Sequence, residues 1–192
     1  MSKQRQLIVV DLETTGLNTA TCWPLEVAAI NTATGQEIRF NPFVTRSALG
    51  EADFQAMQVN RYYERGSWED MLASPSENHA AYQELEKMLT GNTLGGSNPR
   101  FDAAVLARLM GEVWHHRLAD LSAYAAPAMG LSPDELPGLA KVCEHFGITN
   151  HDEHSAYGDA TATASCFRVA REWYLDRGSK AAVVPIDQVV TR

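Results

Sequence analysis

Apolar and polar residues alternate in two rhythms along the chain, and the rhythm changes mark its elements. Residues 6–13 (QLIVVDLE) are β-branched and almost continuously apolar until an aspartate interrupts them, which reads as a strand covered on both faces. Residues 14–16 (TTG) end it as a turn. Residues 25–31 and 37–43 read as two further strands, with Thr34-Gly35 between them as a hairpin turn. The opening of the chain is therefore expected to be a three-stranded meander.

Residues 44–76 lack periodicity and are expected to form an irregular stretch with short helices. Helical spacing then takes over. Ala81, Leu85, Met88 and Leu89 place a helix over residues 77–90, stopped by Gly91. Residues 92–97 read as a short strand broken at Asn98-Pro99, because the residue before proline is pushed toward extended geometry. An amphipathic helix is predicted over 101–113, with Ala104, Val105, Leu109 and Met110 on its buried side. A brief strand over 117–121 follows, then a helix over 137–146 stopped by Gly147, and a last helix over 160–174. Strands first, then helices alternating with short strands, predict an α/β fold with a mixed sheet flanked by helices. Residues 1–176 are read as one domain and 177–192 as a C-terminal tail, a candidate docking segment.

Bulk properties narrow the function. A chain of 192 residues with 45% hydrophobic and 21% charged residues is ordinary globular material with room for a core. Cys22, Cys143 and Cys166 are far apart, odd in number and form no CxxC pair, so neither a disulfide framework nor a thiolate metal site is indicated, which points to a reducing, cytoplasmic setting. The apolar run behind the start is too short for a signal peptide or a membrane span. A net charge of −8 argues against a protein that coats nucleic acid through Lys and Arg. It is compatible with an acidic site that binds cations, whose charge has to enter the count.

Four acids invite that reading. Asp11 and Glu13 are two apart on a predicted strand, so their side chains leave the same face. Their mutual repulsion calls for a positive partner if they are buried. Asp102 and Asp159 each stand where a helix is expected to open. A first-turn aspartate is commonplace there, but the helix dipole also keeps it ionised, as a ligand for a hard cation must be.

The residues around these acids resemble a known family. Asp11-Leu12-Glu13-Thr14-Thr15-Gly16-Leu17, Ser97-Asn98-Pro99-Arg100-Phe101-Asp102 and His154-Ser155-Ala156-Tyr157-Gly158-Asp159 stand in the order of the three motifs of the DEDDh (DnaQ-like) 3′→5′ exonucleases, the group of the proofreading subunit of bacterial DNA polymerase. Glu26-Val27-Ala28-Ala29-Ile30 resembles that family's second strand. The resemblance implies a ribonuclease H-like fold: a mixed five-stranded sheet, its first three strands antiparallel, with helices on both faces. It implies that Asp11, Glu13, Asp102 and Asp159 hold two Mg²⁺ ions, for which Mn²⁺ substitutes. Two such ions about 4 Å apart clamp the attacking and leaving oxygens of an in-line displacement at phosphorus.

By the same resemblance His154 is the general base and Glu13 a second catalytic residue reaching toward the substrate. A positioned imidazole contributes roughly 10²–10⁴ in rate. The tyrosine variant of the family needs Tyr four before the last aspartate, where this chain has Ser155. Thr14, Thr15, Leu17 and Asn98 resemble the segments that grip the 3′-terminal nucleotide, while Ser97 departs from a common histidine. Outside the motifs, Trp68 with Arg61, Tyr62, Tyr63 and Arg65 is the candidate stacking patch, whereas Trp114 and Trp173 sit at core spacing. His115-His116 has no third partner at ligand spacing. The expected partners are nucleic-acid 3′ ends and a DNA polymerase. The expected reaction is release of nucleoside 5′-monophosphates from single-stranded or mismatched DNA. An RNA-trimming enzyme of the same family and a non-catalytic binding module are the alternatives, the latter disfavoured by five intact site residues.

Overall fold

The computed structural model describes residues 4–178. A five-stranded sheet forms its centre, in the order β3-β2-β1-β4-β5. β1 (Leu7–Thr14) pairs antiparallel with β2 (Pro24–Asn31), and β2 antiparallel with β3 (Glu37–Phe40). β4 (Thr93–Gly96) lies parallel to β1, and β5 (Ala119–Asp120) parallel to β4. The mixed sheet with an antiparallel first half is the one expected.

Alternation along β1 builds two cores. Ile8, Val10 and Leu12 pack with Leu85, Leu89, Val105 and Leu106 of α3 (Pro75–Leu89) and α4 (Pro99–Met110). Val9, on the opposite parity, packs with Leu121, Val142, Ala160 and Cys166 of α5 (Leu121–Ala125), α6 (Leu139–Phe146) and α7 (Ala156–Gly178). Helices thus cover both faces. Asp11 and Glu13 share the parity of Val9 and continue its line past the point where apolar contact ends.

Several boundaries differ from the sequence reading, each for a local reason. β3 stops at Phe40, and Asn41 instead bridges to Met71. The irregular stretch holds α1 (Arg46–Gly50), α2 (Phe54–Asn60) and a 3₁₀ turn at Ser67–Asp70. Helix α3 begins before residue 77, because Ser74 caps it and Pro75 occupies its first position. α4 likewise starts at Pro99, with Asn98 as its N-cap at φ 63°. On α4 the buried side carries Ala103 and Leu106; Ala104 is exposed. α5 was not expected; Asp120 caps it through Ser122 N–H at 2.8 Å. α7 opens four residues early, for a reason that concerns the site. The tail expected from residue 177 lies, past the helix end at Gly178, outside the described residues. No helix among the described residues is long and apolar enough to cross a membrane.

Candidate active site

β1 outruns β4. The parallel ladder joins Leu7–Val9 to Thr93–Gly95 and stops, leaving the later part of β1 unpaired on that side. Asp102 fills the gap: its carboxylate accepts the backbone N–H of Leu12. The left-handed Asn98 and the proline after it turn the chain from β4 into α4, so that Asp102 comes out of the first turn of that helix, 4% exposed.

Asp159 arrives from the opposite side, on the first turn of α7. Ser155 caps this helix, its Oγ accepting the Gly158 N–H at 3.0 Å and its carbonyl the Asp159 N–H at 3.0 Å. A side chain at Gly158 would place its Cβ 2.1 Å from the Asp152 carbonyl oxygen, so glycine alone lets the preceding loop lie this close. Asn150 Nδ2 donates to Asp159 Oδ1 and fixes that carboxylate's orientation.

Asp11, Glu13, Asp102 and Asp159 therefore line one cleft of about 240 Å³, together with Leu17, Ser97, Asn98 and Phe101. His154 is exposed on the loop before α7, at φ 61°. One of its ring nitrogens and one carboxylate oxygen each of Glu13 and Asp159 lie within 4.8 Å of one another. The five residues singled out by their order in the sequence meet in space.

Electrostatics show what this convergence costs. Burial pushes the Glu13 carboxyl up to about 8, helped by the charges of Asp159 and Glu26 and opposed by Arg65. Burial raises Asp102 to about 7, against the two backbone N–H groups it accepts. Asp11 is driven well above the carboxylate range, first by burial and then by Asp102, Asp159, Glu13 and Glu26. Asp159 is raised by burial and held down by Asn150 and His154. Carboxylates this crowded cannot all ionise alone. An all-oxygen donor set with one imidazole beside it fits a hard divalent cation, which would restore the ionised state.

Thr14 and Thr15 are buried, and their hydroxyls are spent inside the loop. Thr14 Oγ1 donates to the Gly16 carbonyl at 2.8 Å, and Thr15 Oγ1 accepts from Trp23 N–H at 2.9 Å. What this loop presents outward is Leu17, 82% exposed. Asn98 is exposed on the cleft wall and Arg100 points to solvent. The patch expected around Trp68 is assembled only in part: Tyr62 is buried and Arg65 turns inward to Glu26, while Arg61, Tyr63 and Trp68 stay exposed. Trp23 is the tryptophan near the site. It lines a second hollow of about 340 Å³ that meets the acid cleft at Leu17, with the Arg108 guanidinium 5.1 Å over its ring. Trp114 packs in the core as expected.

Three residues of the site have no site role at the sequence level: Asn150, Glu26 and Arg65, the last of them read there only as part of a stacking patch. Glu26 had the one available clue, an acid inside an otherwise apolar strand, since a buried carboxylate needs a partner.

Comparison with known proteins agrees with this geometry. The profile of the RNase_T family, described as exonuclease, matches residues 8–167. No curated protein matches the chain in sequence. Among solved structures, a product-bound exonuclease I is 21% identical with a TM-score of 0.65, covering 88% of this chain and 44% of its own. The zinc-bound complex of Escherichia coli ExoI with single-stranded DNA is 19% identical with a TM-score of 0.65, covering 88% and 41%. An ExoI/SSB-Ct complex is 18% identical with a TM-score of 0.65, covering 93% and 43%. These likenesses establish a shared fold, and the chain spans less than half the length of these relatives.

Proposed function

The chain belongs to the exonuclease family of the RNase_T type, and from that premise we propose that it is a metal-dependent 3′→5′ exonuclease that removes nucleoside 5′-monophosphates from DNA 3′ ends. The observation that carries the reading is the meeting of Asp11, Glu13, Asp102 and Asp159 in one cleft with His154 against Glu13 and Asp159. The four acids would hold two divalent cations, Mg²⁺ or Mn²⁺, which when bound supply Lewis-acid stabilisation of charge at the phosphoryl group. His154 accepts the proton of the attacking water. Glu13 orients that water from the adjoining strand. Asn150 keeps Asp159 aimed into the cleft. Leu17, standing proud of the tight loop built by Thr14 and Thr15, wedges against the terminal base, and Asn98 faces the sugar-phosphate on the other wall.

Single-stranded DNA is the substrate this reading favours, because a solved relative of the same fold is named as an ssDNA complex. The relative named with a partner carries SSB-Ct rather than a polymerase, so free 3′ ends are preferred to proofreading beside a polymerase. The test compares 5′-labelled single-stranded DNA, mismatched duplex and RNA with Mg²⁺, Mn²⁺ or chelator. The expected result is a ladder shortened from the 3′ end on single-stranded DNA, silent in chelator. Internal cuts, or cleavage that persists in chelator, would remove the reading; faster shortening of RNA would move the substrate class to RNA.

Metal removal has a second, thermodynamic signature. In the metal-free fold the Glu13 carboxyl titrates at about 8 against an ordinary 4.5. Between those values the folded chain retains a proton that the unfolded chain has released, so stability falls as pH rises through this window. Ligation takes the ionised form and opposes the fall. The melting temperature with chelator is expected to drop from about pH 5 to about pH 8, and the gain on adding Mn²⁺ to widen over the same range. A metal-induced gain independent of pH would contradict the assignment of Glu13 as a ligand.

A further inference from the structure

Glu26 faces Glu13 across the β1–β2 ladder and is 7% exposed, so a fifth carboxylate lies beside the four of the cleft. Its two oxygens are used differently. Oε1 receives Nη2 of Arg65, and Oε2 accepts the Ala156 N–H at 3.2 Å. Ala156 is the first residue of α7, the helix that carries Asp159 and follows His154. Arg65 is itself held: its Nε donates to the Asn60 carbonyl at 2.8 Å. Asn60 in turn donates through Nδ2 to the carbonyl of Thr14 at 3.1 Å, the residue where the β1–β2 register shifts directly after Glu13. Arg61, at φ 51°, turns the chain out of α2 so that Asn60 and Arg65 can both reach inward.

One continuous set of hydrogen bonds thus ties the end of β1 to the start of α7, running Thr14–Asn60–Arg65–Glu26–Ala156. Ala156 and Ala160 also pack directly on Val9, Ala28 and Ile30 of the sheet, and to that apolar contact the path adds a directional polar tie at the first turn of α7. We propose that Arg65 and Glu26 are positioning residues of the exonuclease site: together they fix the first turn of α7 against β1, setting the distance between the ligands and base of one and those of the other. The inference rests on the proposed nuclease reading. The Arg65 guanidinium is turned inward onto Glu26 and is 16% exposed. Both Glu26 oxygens are engaged by Arg65 and the Ala156 N–H, so Glu26 supplies geometry to the cleft without competing as a ligand.

The test uses a charge-neutral double variant, Glu26→Leu with Arg65→Met. Exchanging a buried pair for apolar side chains of similar volume is commonly neutral or stabilising, so the melting temperature should hold or rise. Loss of residues that orient metal ligands typically costs about 10- to 100-fold in affinity or activity. The expected result is kcat down by that factor, the Mn²⁺ concentration for half-maximal thermal stabilisation raised about tenfold, and KM within about twofold. Glu26→Gln with Arg65→Met, which restores an acceptor for the Ala156 N–H but not the guanidinium, should recover part of the lost kcat while staying below the wild type, and it carries the same test should the leucine variant not fold. Unchanged kcat and Mn²⁺ response in either folded variant would overturn the inference, as would a rise in KM alone, which would make Arg65 a substrate contact. A wild-type chain that does not cleave would overturn the nuclease reading and this inference with it; a cleaving wild type with unchanged variants overturns the inference alone.

Discussion

Asp11→Asn is expected to abolish 3′-end hydrolysis and to raise the melting temperature of the metal-free chain. Both effects have one cause. Asp11 is pushed far above its ordinary range by burial and then by Asp102, Asp159, Glu13 and Glu26, so without a cation its charge is opposed by everything around it. An amide removes that charge at nearly constant volume. A gain on the order of 1 kcal/mol corresponds to about 2–4 °C in a chain of this size. Activity moves the other way, because charge stabilisation by a bound ion contributes several kcal/mol to the transition state. Each 1.36 kcal/mol is tenfold in rate, which sets the loss at about a thousandfold or more. A chelator-treated melt and a single-turnover assay on 5′-labelled DNA check the two halves. Retained cleavage would free Asp11 from the metal assignment, and a lowered melting temperature would make it a structural residue.

That trade between stability and chemistry explains which parts of the site were legible in the sequence. Asp11 and Glu13 could be read because a two-residue period puts both on one face of a strand, and an acid pair on a strand buried on both faces is conspicuous. Asp102 and Asp159 could be read as helix openers, and motif order tied them to the pair. Glu26 reads from the sequence only as part of the second strand, since its partners stand 39 and 130 positions away and no local pattern links them. Arg65 and Asn60 sit in a stretch with no periodicity at all, where the side chain's direction is decided by contacts with the rest of the fold.

Element boundaries failed for a related reason. Asp159 reads as the residue that opens the last helix, which is therefore expected over 160–174. In the structure Ser155 caps the helix, and Gly158 is required by the closeness of the Asp152 carbonyl rather than by a turn. The same four-residue error would have placed Asp159 at the helix start instead of inside its first turn. The short α5 escaped because five residues carry too little pattern; Leu121 and Ala125 are in the core, but only the folded chain says so. The stacking expectation at Trp68 rests on its sequence neighbours, whereas the tryptophan beside the cleft is Trp23; neighbours in sequence are a poor guide to neighbours in space.

His154→Asn is expected to lower kcat by roughly 10²–10⁴, the range of a lost general base, while leaving the Mn²⁺ response of the fold within about twofold. Asparagine is the informative replacement because His154 lies at φ 61°, a left-handed conformation that asparagine adopts more readily than most residues. The loop should therefore keep its course, and any loss should report on the imidazole. Its ring nitrogen stands within 4.8 Å of both Glu13 and Asp159 oxygens, a placement that suits a proton acceptor for water and a metal ligand alike. The two roles separate under titration. A ligand's removal would weaken Mn²⁺ binding along with turnover, whereas a base's removal leaves binding in place. Added imidazole then offers a proton acceptor in solution, and partial recovery of cleavage at saturating Mn²⁺ is the outcome a base predicts. A variant with weakened Mn²⁺ binding and no rescue would assign His154 to the metal, leaving the attacking water to lose its proton to Glu13 or to solvent.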